Sequence, residues 1–354
     1  MTPRAPAIPG VLTAEQMVAT GAAIVGMQEQ SGALPWFPGG HTDPWDHVES
    51  AMALSVTGFH AEAEAAYDFA RRTQRADGSW PIKTVAGTVT DHGIDANFCA
   101  YIAVGVWHHY LITADTDFLA RMWPVVFSAI DLVCRFQRPD GAFRWGGDHR
   151  THAMFDEALV TGNASIHQAL GAADRIATEM GGPEPDWVRA RGALAKALTE
   201  RPEVFEEPSE HSMDWYYPIL GGAVRGRAGQ ELIAQRWDDF VVPGLGIRCV
   251  DHRPWVTGAE TCELALALDA LGDTAAAVEL IAAMQHLRDP DGSYWTGLVY
   301  ADGKRWPVEK SSWTSAAVVL AADAVSRTSP GHGIFRDVSA AVTAAGIARV
   351  AGDR

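Results

Sequence analysis

The sequence predicts an all-α fold, an (α/α)6 toroid or barrel of helical hairpins with apolar helices inside and amphipathic ones outside. Three observations carry that prediction. Segments of helical period alternate along the chain between uniformly apolar and amphipathic, and strand patterns are scarce. A turn of one grammar recurs, QRADGSW at 74–80, QRPDGAFRW at 137–145 and LRDPDGSYW at 287–295, with QEQSGALPW at 28–36 as a looser copy. Each such turn leads from an amphipathic helix to an apolar one, and self-similarity of this kind marks a repeat architecture. Closing the repeats into a ring buries terminal units that an open solenoid would expose.

The elements follow in order. Thr13 to Gln30 starts with a Thr cap and reads as an outer helix. Trp36 to Ser50, WFPGGHTDPWDHVES, then crowds aromatics, acids and histidines at the entry of an inner helix. There Asp43 has the place of an N-cap and Pro44 that of the first helical position. This Ala-rich helix ends near Gly58, and His60 to Arg75 is its outer partner. The cycle repeats with Ile94–Leu111 inner and Asp115–Gln137 outer, then with Met154–Met180 inner, long enough to kink, and Asp186–Glu200 outer. Asp214–Val224 is a short inner helix interrupted by Pro218, followed by Gln230–Phe240 outside. Trp255–Leu271 is inner, Thr274–Leu287 outer, Ser312–Ser326 inner, and Val338–Val350 closes the chain.

No linker interrupts this pattern, so residues 1–354 read as one catalytic barrel domain. With 47% hydrophobic and 20% charged residues, the chain has ample material for a core. Its formal charge of −16 repels polyphosphate, which argues against nucleic acid as a partner. The N-terminus lacks an apolar signal core, and no apolar run reaches the roughly 18 to 20 residues that span a bilayer. A cytoplasmic protein without a membrane partner is expected. Cys99, Cys134, Cys249 and Cys262 show no metal-like spacing and read as free, buried thiols. A face of outer helices could support a homodimer.

Closure also fixes polarity, because turns that all lead inward gather at one end with the N-termini of the inner helices. Nine of the 13 tryptophans fall in those turns or in the first turns of inner helices: Trp36, Trp45, Trp80, Trp145, Trp215, Trp255, Trp295, Trp306 and Trp313. Some of them, Trp80 and Trp145 included, read as wedges at the rim. The same end collects Asp43, Asp46, Glu49, Asp95, Asp214, Glu260 and Glu263. A cleft rich in carboxylates and rings and poor in basic groups suits a neutral oligo- or polysaccharide, since rings stack on sugar faces and carboxylates accept hydroxyl hydrogen bonds.

Glycoside hydrolysis needs one carboxyl group to protonate the leaving oxygen and another to activate water or attack. Asp46, in the densest motif, and Glu260, in the otherwise apolar WVTGAETCELALAL, are the catalytic pair we select. Substrate contacts are expected from Trp36, Trp45, His47, Glu49, Asp95, Asp214, Trp215, Tyr216, Trp255, Glu263 and Trp313. Asp214 is the third catalytic candidate. His41 and His47 beside Asp43 and Asp46 have no HExxH or other ligand spacing, so neither a metal nor another cofactor is assigned. The sequence holds no GxSxG elbow, P-loop or GxGxxG turn.

The turn QRADGSW resembles the repeat of squalene cyclases and protein prenyltransferases, but their DxDD acid motif and their Asp, Cys and His zinc set have no counterpart here. A resemblance over nearly the whole chain lies elsewhere. DPWDHVESAM (43–52), AYIAVGVWHHYL (100–111), SMDWYYPILGGAVRG (212–226), RWDDFVVPGLGIRC (236–249), RPWVTGAETCELALALDALG (253–272) and MQHLRDPDGSYWTG (284–297) resemble an actinobacterial family of α/α-barrel glycoside hydrolases. Its members include the mycobacterial methylmannose polysaccharide hydrolases. The resemblance implies an endo-acting, metal-independent hydrolase of partly O-methylated α-1,4-mannan in the cytoplasm, acting with inversion. Two other readings stand beside it. Another α/α-barrel carbohydrate enzyme, an epimerase or lyase, would lean on His47, Tyr216 or Tyr217 as base. A non-catalytic toroid binding glycan or lipid would tolerate loss of either acid.

Overall fold

A computed structural model of the chain describes residues 5–206 and 210–337; the helix expected over Val338–Val350 lies outside them. Helix α1 (Ala14–Val25) opens with a capping box in which Thr13 Oγ1 accepts from the Gln16 backbone N–H and Gln16 Oε1 accepts from that of Thr13. Helix α2 (Pro44–Thr57) starts on the Asp43 cap and stops at Gly58, in the left-handed region at φ 87°. After α3 (His60–Thr73), the apolar stretch expected as one inner helix divides at Tyr101 into α4 (Ala96–Ala100) and α5 (Ile102–Thr113). Next come α6 (Thr116–Cys134), α7 (Val160–Glu179), α8 (Pro185–Glu200), α9 (Met213–Leu220) and α10 (Gly226–Phe240). The described helices end with α11 (Gly258–Ala270), α12 (Thr274–Ala283) and α13 (Ser312–Ser326). α7 begins six residues later than its pattern suggested, because Met154 pairs with Gly147 in an extended bridge instead.

Packing closes the ring. α2 lies on α5, α5 on α7, α7 on α9, α9 on α11, α11 on α13, and α13 returns to α2. Helices α1, α3, α6, α8, α10 and α12 form the outer layer, α1 covering the seam between α13 and α2. From Trp45 to Thr57 every residue of α2 is buried, and α11 and α13 are buried almost throughout, which explains why these helices carry no polar stripe. Among the described residues no helix is long and apolar enough to cross a membrane.

The repeated turns are the joints of this barrel. Gly32, Gly78, Gly141 and Gly292 all lie at φ between 91° and 96°, a region closed to most side chains. A Cβ at any of them would run into a backbone carbonyl of another outer helix: Ala65 of α3, Ser128 of α6, Ala193 of α8 and Ala19 of α1 respectively. Three joints add a glutamine that bridges turn and helix. Gln74 Nε2 donates to the carbonyls of Gly78 and Val125, Gln137 to those of Gly141 and Ala190, and Gln28 to those of Gly32 and Glu62. In the fourth, Thr20 of α1 donates its hydroxyl to the Gly292 carbonyl. The looser copy at 28–36 is thus a full member of the set.

Short strands form a collar that the sequence did not announce. β1 (His41–Thr42) pairs with β2 (Lys83–Val85) of a hairpin with β3 (Thr88–Asp91). β4 (Gly93–Asp95) pairs with β5 (Gly146–Asp148). A meander of β6 (Val241–Val242), β7 (Gly246–Arg248), β8 (Trp255–Thr257), β9 (Gly297–Val299) and β10 (Lys304–Arg305) completes it. Strands of two to four residues are too short to show a period of two. Their role is positional: β4 and β8 run directly into α4 and α11, and β1 leads through Asp43 into α2.

Candidate active site

At the end of the barrel where the inner helices begin lies a cleft of about 610 Å³. Helix α2 contributes Asp43, Trp45 and Asp46, the cap of α4 contributes Asp95, α7 contributes Thr161 and Asn163, and α9 contributes Asp214 and Tyr217. Trp36, Trp145 and Trp313 complete the aromatic lining.

Its electrostatics separate two neighbouring acids. Burial pushes Asp46 well above the usual carboxylate range, and the negative charges of Asp43, Glu49 and Glu263 push the same way. Burial acts on Asp43 too, but hydrogen bonds from His41, the Asp46 side chain and the Asp46 backbone N–H outweigh it and leave Asp43 below the ordinary range. The two neighbouring carboxyls are thus pushed in opposite directions. Asp95 is pushed up to about 7 by burial, against the pull of the Phe98 and Asn97 backbone N–H groups. Asp214 Oδ1 accepts from the Thr161 hydroxyl at 2.6 Å.

Beneath the cleft lie two acids expected to touch substrate. Glu49 and Glu263 are each 1% exposed. Glu49 Oε2 accepts from the Trp45 and Trp313 indoles at 3.1 and 3.0 Å, while Glu263 accepts from Tyr216 at 2.5 Å on one oxygen and from Tyr217 at 2.6 Å on the other. Their carboxyls, and the buried Tyr216, support the lining from below. Glu260 stands one turn before Glu263 on α11, is 5% exposed, and takes a hydrogen bond from the Cys249 thiol. It is not among the residues that line the cleft.

Three expected substrate contacts have other work. His47 accepts the Leu34 backbone N–H at Nδ1 and donates from Nε2 to the Ala66 carbonyl, so both ring nitrogens are spent on backbone. Burial pushes its pKa down to about 4 and keeps it neutral. Trp215 donates to the Leu232 carbonyl and stacks on Phe240, wedging α9 against α10. Trp255 donates to the Trp306 carbonyl and meets the Trp306 ring edge-on at 4.7 Å, outside the cleft lining. Conversely Trp145, read as a rim wedge, lines the cleft and stacks on Phe155. Thr161 and Lys83 reach it without any sequence signal, Lys83 on the hairpin that the sequence concealed.

His41, Asp43 and Asp46 have donor atoms within 4.8 Å of one another, the one such set among the described residues. Asp43 spends its carboxylate on His41, on Asp46 and on the helix cap. All four cysteines are free, Cys99 and Cys262 buried, Cys134 and Cys249 partly so.

No protein-family model matches the chain. Several solved structures share its fold. A glycosidase in complex with glucose superposes with a TM-score of 0.70 at 16% identity, covering 91% of this chain and 97% of its own. A D-mannose isomerase does so at 0.70 and 12%, covering 89% and 97%, and a rhamnosidase from Klebsiella oxytoca with bound rhamnose at 0.63 and 12%, covering 89% and 64%. The sequence itself is 60% identical over 333 residues to the MMP endo-(1,4)-3-O-methyl-alpha-D-mannosidase of Mycolicibacterium hassiacum, a match covering 94% of this chain and 92% of that protein. With an acid-lined, tryptophan-walled cleft on a glycosidase fold and that identity along its length, this chain belongs to the glycoside hydrolase family of the M. hassiacum mannosidase.

Proposed function

We propose that this glycoside hydrolase cuts α-1,4-linked mannan internally, acting on a partly O-methylated mannose polysaccharide in the cytoplasm, with one barrel as its catalytic domain. The name of the M. hassiacum relative supports the substrate. The observation that carries the chemistry is Asp46, its carboxyl pushed well above the ordinary range by burial, in a cleft walled by Trp36, Trp45, Trp145 and Trp313. Asp46 donates its proton to the leaving glycosidic oxygen, and Glu260 activates the water. Inversion is the proposed outcome, as the family resemblance implies, and it requires the two carboxyls to stand about 6.5 to 9.5 Å apart to admit that water. Methyl ethers turn sugar hydroxyls into apolar contacts, which indole faces accommodate.

The test incubates purified protein with α-1,4-mannooligosaccharides, with and without 3-O-methyl groups, and reads fragments by mass spectrometry and the first-formed anomer by NMR. Internal fragments of the methylated series with inverted anomers are expected; a panel of unchanged masses would sink the assignment. A second assignment of the base rests on one observation, that Asp214 lines the cleft and Glu260 does not. Glu260→Gln and Asp214→Asn decide between them: the base is the acid whose amide loses turnover that azide restores.

A further inference from the structure

Asp46 and Glu49 on α2 are three residues apart, and so are Glu260 and Glu263 on α11. At that spacing the second acid of each pair sits about one helical turn deeper than the first. The two deep acids then converge on the rings of the cleft. Glu49 holds the indoles of Trp45 and Trp313, and Glu263 holds the phenol of Tyr217, so three lining rings hang on two carboxyls shut off from solvent. Trp45 also stacks on Tyr101 at 3.7 Å and reaches Tyr217 at 6.1 Å, joining α2 to α9 on the far side of the ring.

Burial pushes both carboxyls up, Glu49 to about 8 and Glu263 well above its ordinary value. Glu263 receives an O–H on each oxygen, whereas Glu49 receives both N–H groups on Oε2. We propose that Glu49 and Glu263 are positioning residues of this hydrolase, a buried pair that pins Trp45, Trp313 and Tyr217 in the orientation that receives the sugar rings. The idea rests on this cleft as the site of sugar binding.

The groups facing Asp46 are Asp43 and Glu49 from its own helix and cap, and Glu263 from α11. His41 acts through Asp43. The couple is faced by Glu260 and Cys262 from α11, Tyr216 and Tyr217 from α9, and Tyr101 between α4 and α5.

Glu263→Ala frees the Tyr217 phenol and should raise KM about fivefold with kcat little changed, while Glu263→Gln, which keeps an oxygen for it, recovers most of the loss. Glu49→Ala frees two indoles and should raise KM about tenfold, while Glu49→Gln, which keeps an oxygen for both, recovers most of the loss. Equal KM values for wild type, Glu263→Ala and Glu49→Ala overturn the proposal. Should Glu263→Ala fail to fold by near-ultraviolet circular dichroism, the Glu49 pair decides it. A wild type that cleaves no mannoside defeats the proposed substrate instead, and the near-ultraviolet indole signal of Glu49→Ala against Glu49→Gln still judges the pair.

Discussion

Asp43 accepts a hydrogen bond from the backbone N–H of Asp46 at 2.9 Å, so the cap of α2 holds in place the acid assigned as proton donor. The same contact sets a carboxyl held below its ordinary range against one pushed well above it. Asp46→Asn keeps the shape and loses the proton, and kcat on the methylated mannan should fall by about 100-fold or more, with a thermal midpoint close to wild type. In the wild type, activity should decline as pH rises and Asp46 gives up its proton before meeting substrate. A variant with near-normal turnover would remove Asp46 from its assigned role.

Stability should fall toward alkaline pH. Burial raises Glu49 from 4.5 to about 8 and Asp95 from 3.8 to about 7, so the folded state binds these protons more tightly than the unfolded chain. Their stabilising effect is complete below the unfolded values and is lost as pH climbs toward 7 and 8. Thermal midpoints measured from pH 4 to 9 should therefore drop across that window. Glu49→Gln should flatten the drop, and an unchanged slope would count against the buried, protonated Glu49.

The turn glycines should differ sharply from loop glycines. Gly78→Ala sets a Cβ against the Ser128 carbonyl at φ 95°, whereas Gly87→Ala, at φ 76°, meets nothing within 4 Å. The second change carries only the left-handed strain of about 1–2 kcal/mol; the first should exceed it by about 1–3 kcal/mol through overpacking. Urea denaturation of the two variants gives the comparison directly.

At the opposite end of α11, Asp269 is buried and accepts from Arg327, Arg336 and Thr274. Asp269→Ala strands two guanidinium groups and should cost about 3–5 kcal/mol in unfolding free energy. Turnover below the unfolding temperature should not change, since nothing near Asp269 reaches the cleft.

Architecture was legible because its signal is local. A glycine and an aromatic must sit within a few residues to make each joint, and even the loose copy around Gly32, with Ser31 in place of the aspartate, kept the glycine and a bridging glutamine. The cap Asp43 could be read for the same reason. The inward face of a helix could not. His47 follows Asp46 by about 100° of helical rotation, enough to turn it from the cleft toward Ala66 of α3. Glu49 and Glu263 were read as substrate contacts, but they are held by partners from α13 and α9, at separations of 264 and 46 residues that no spacing reveals. Lys83 and Thr161 belong to the same class, brought to the cleft by a hairpin and a helix start whose patterns were too short or too irregular to see.

The joint at Gly292 has a further meaning. It seats on α1 as Gly78 seats on α6, so the last turn grips the first helix by the device used between internal neighbours. The first helix is thereby held on both sides, by the turn after α12 and through its own turn on α3. This run of grips has its two ends at α8 and α12, on either side of α10, so local opening should begin there, and limited proteolysis should cut around α10 first while α1 and α2 stay in place.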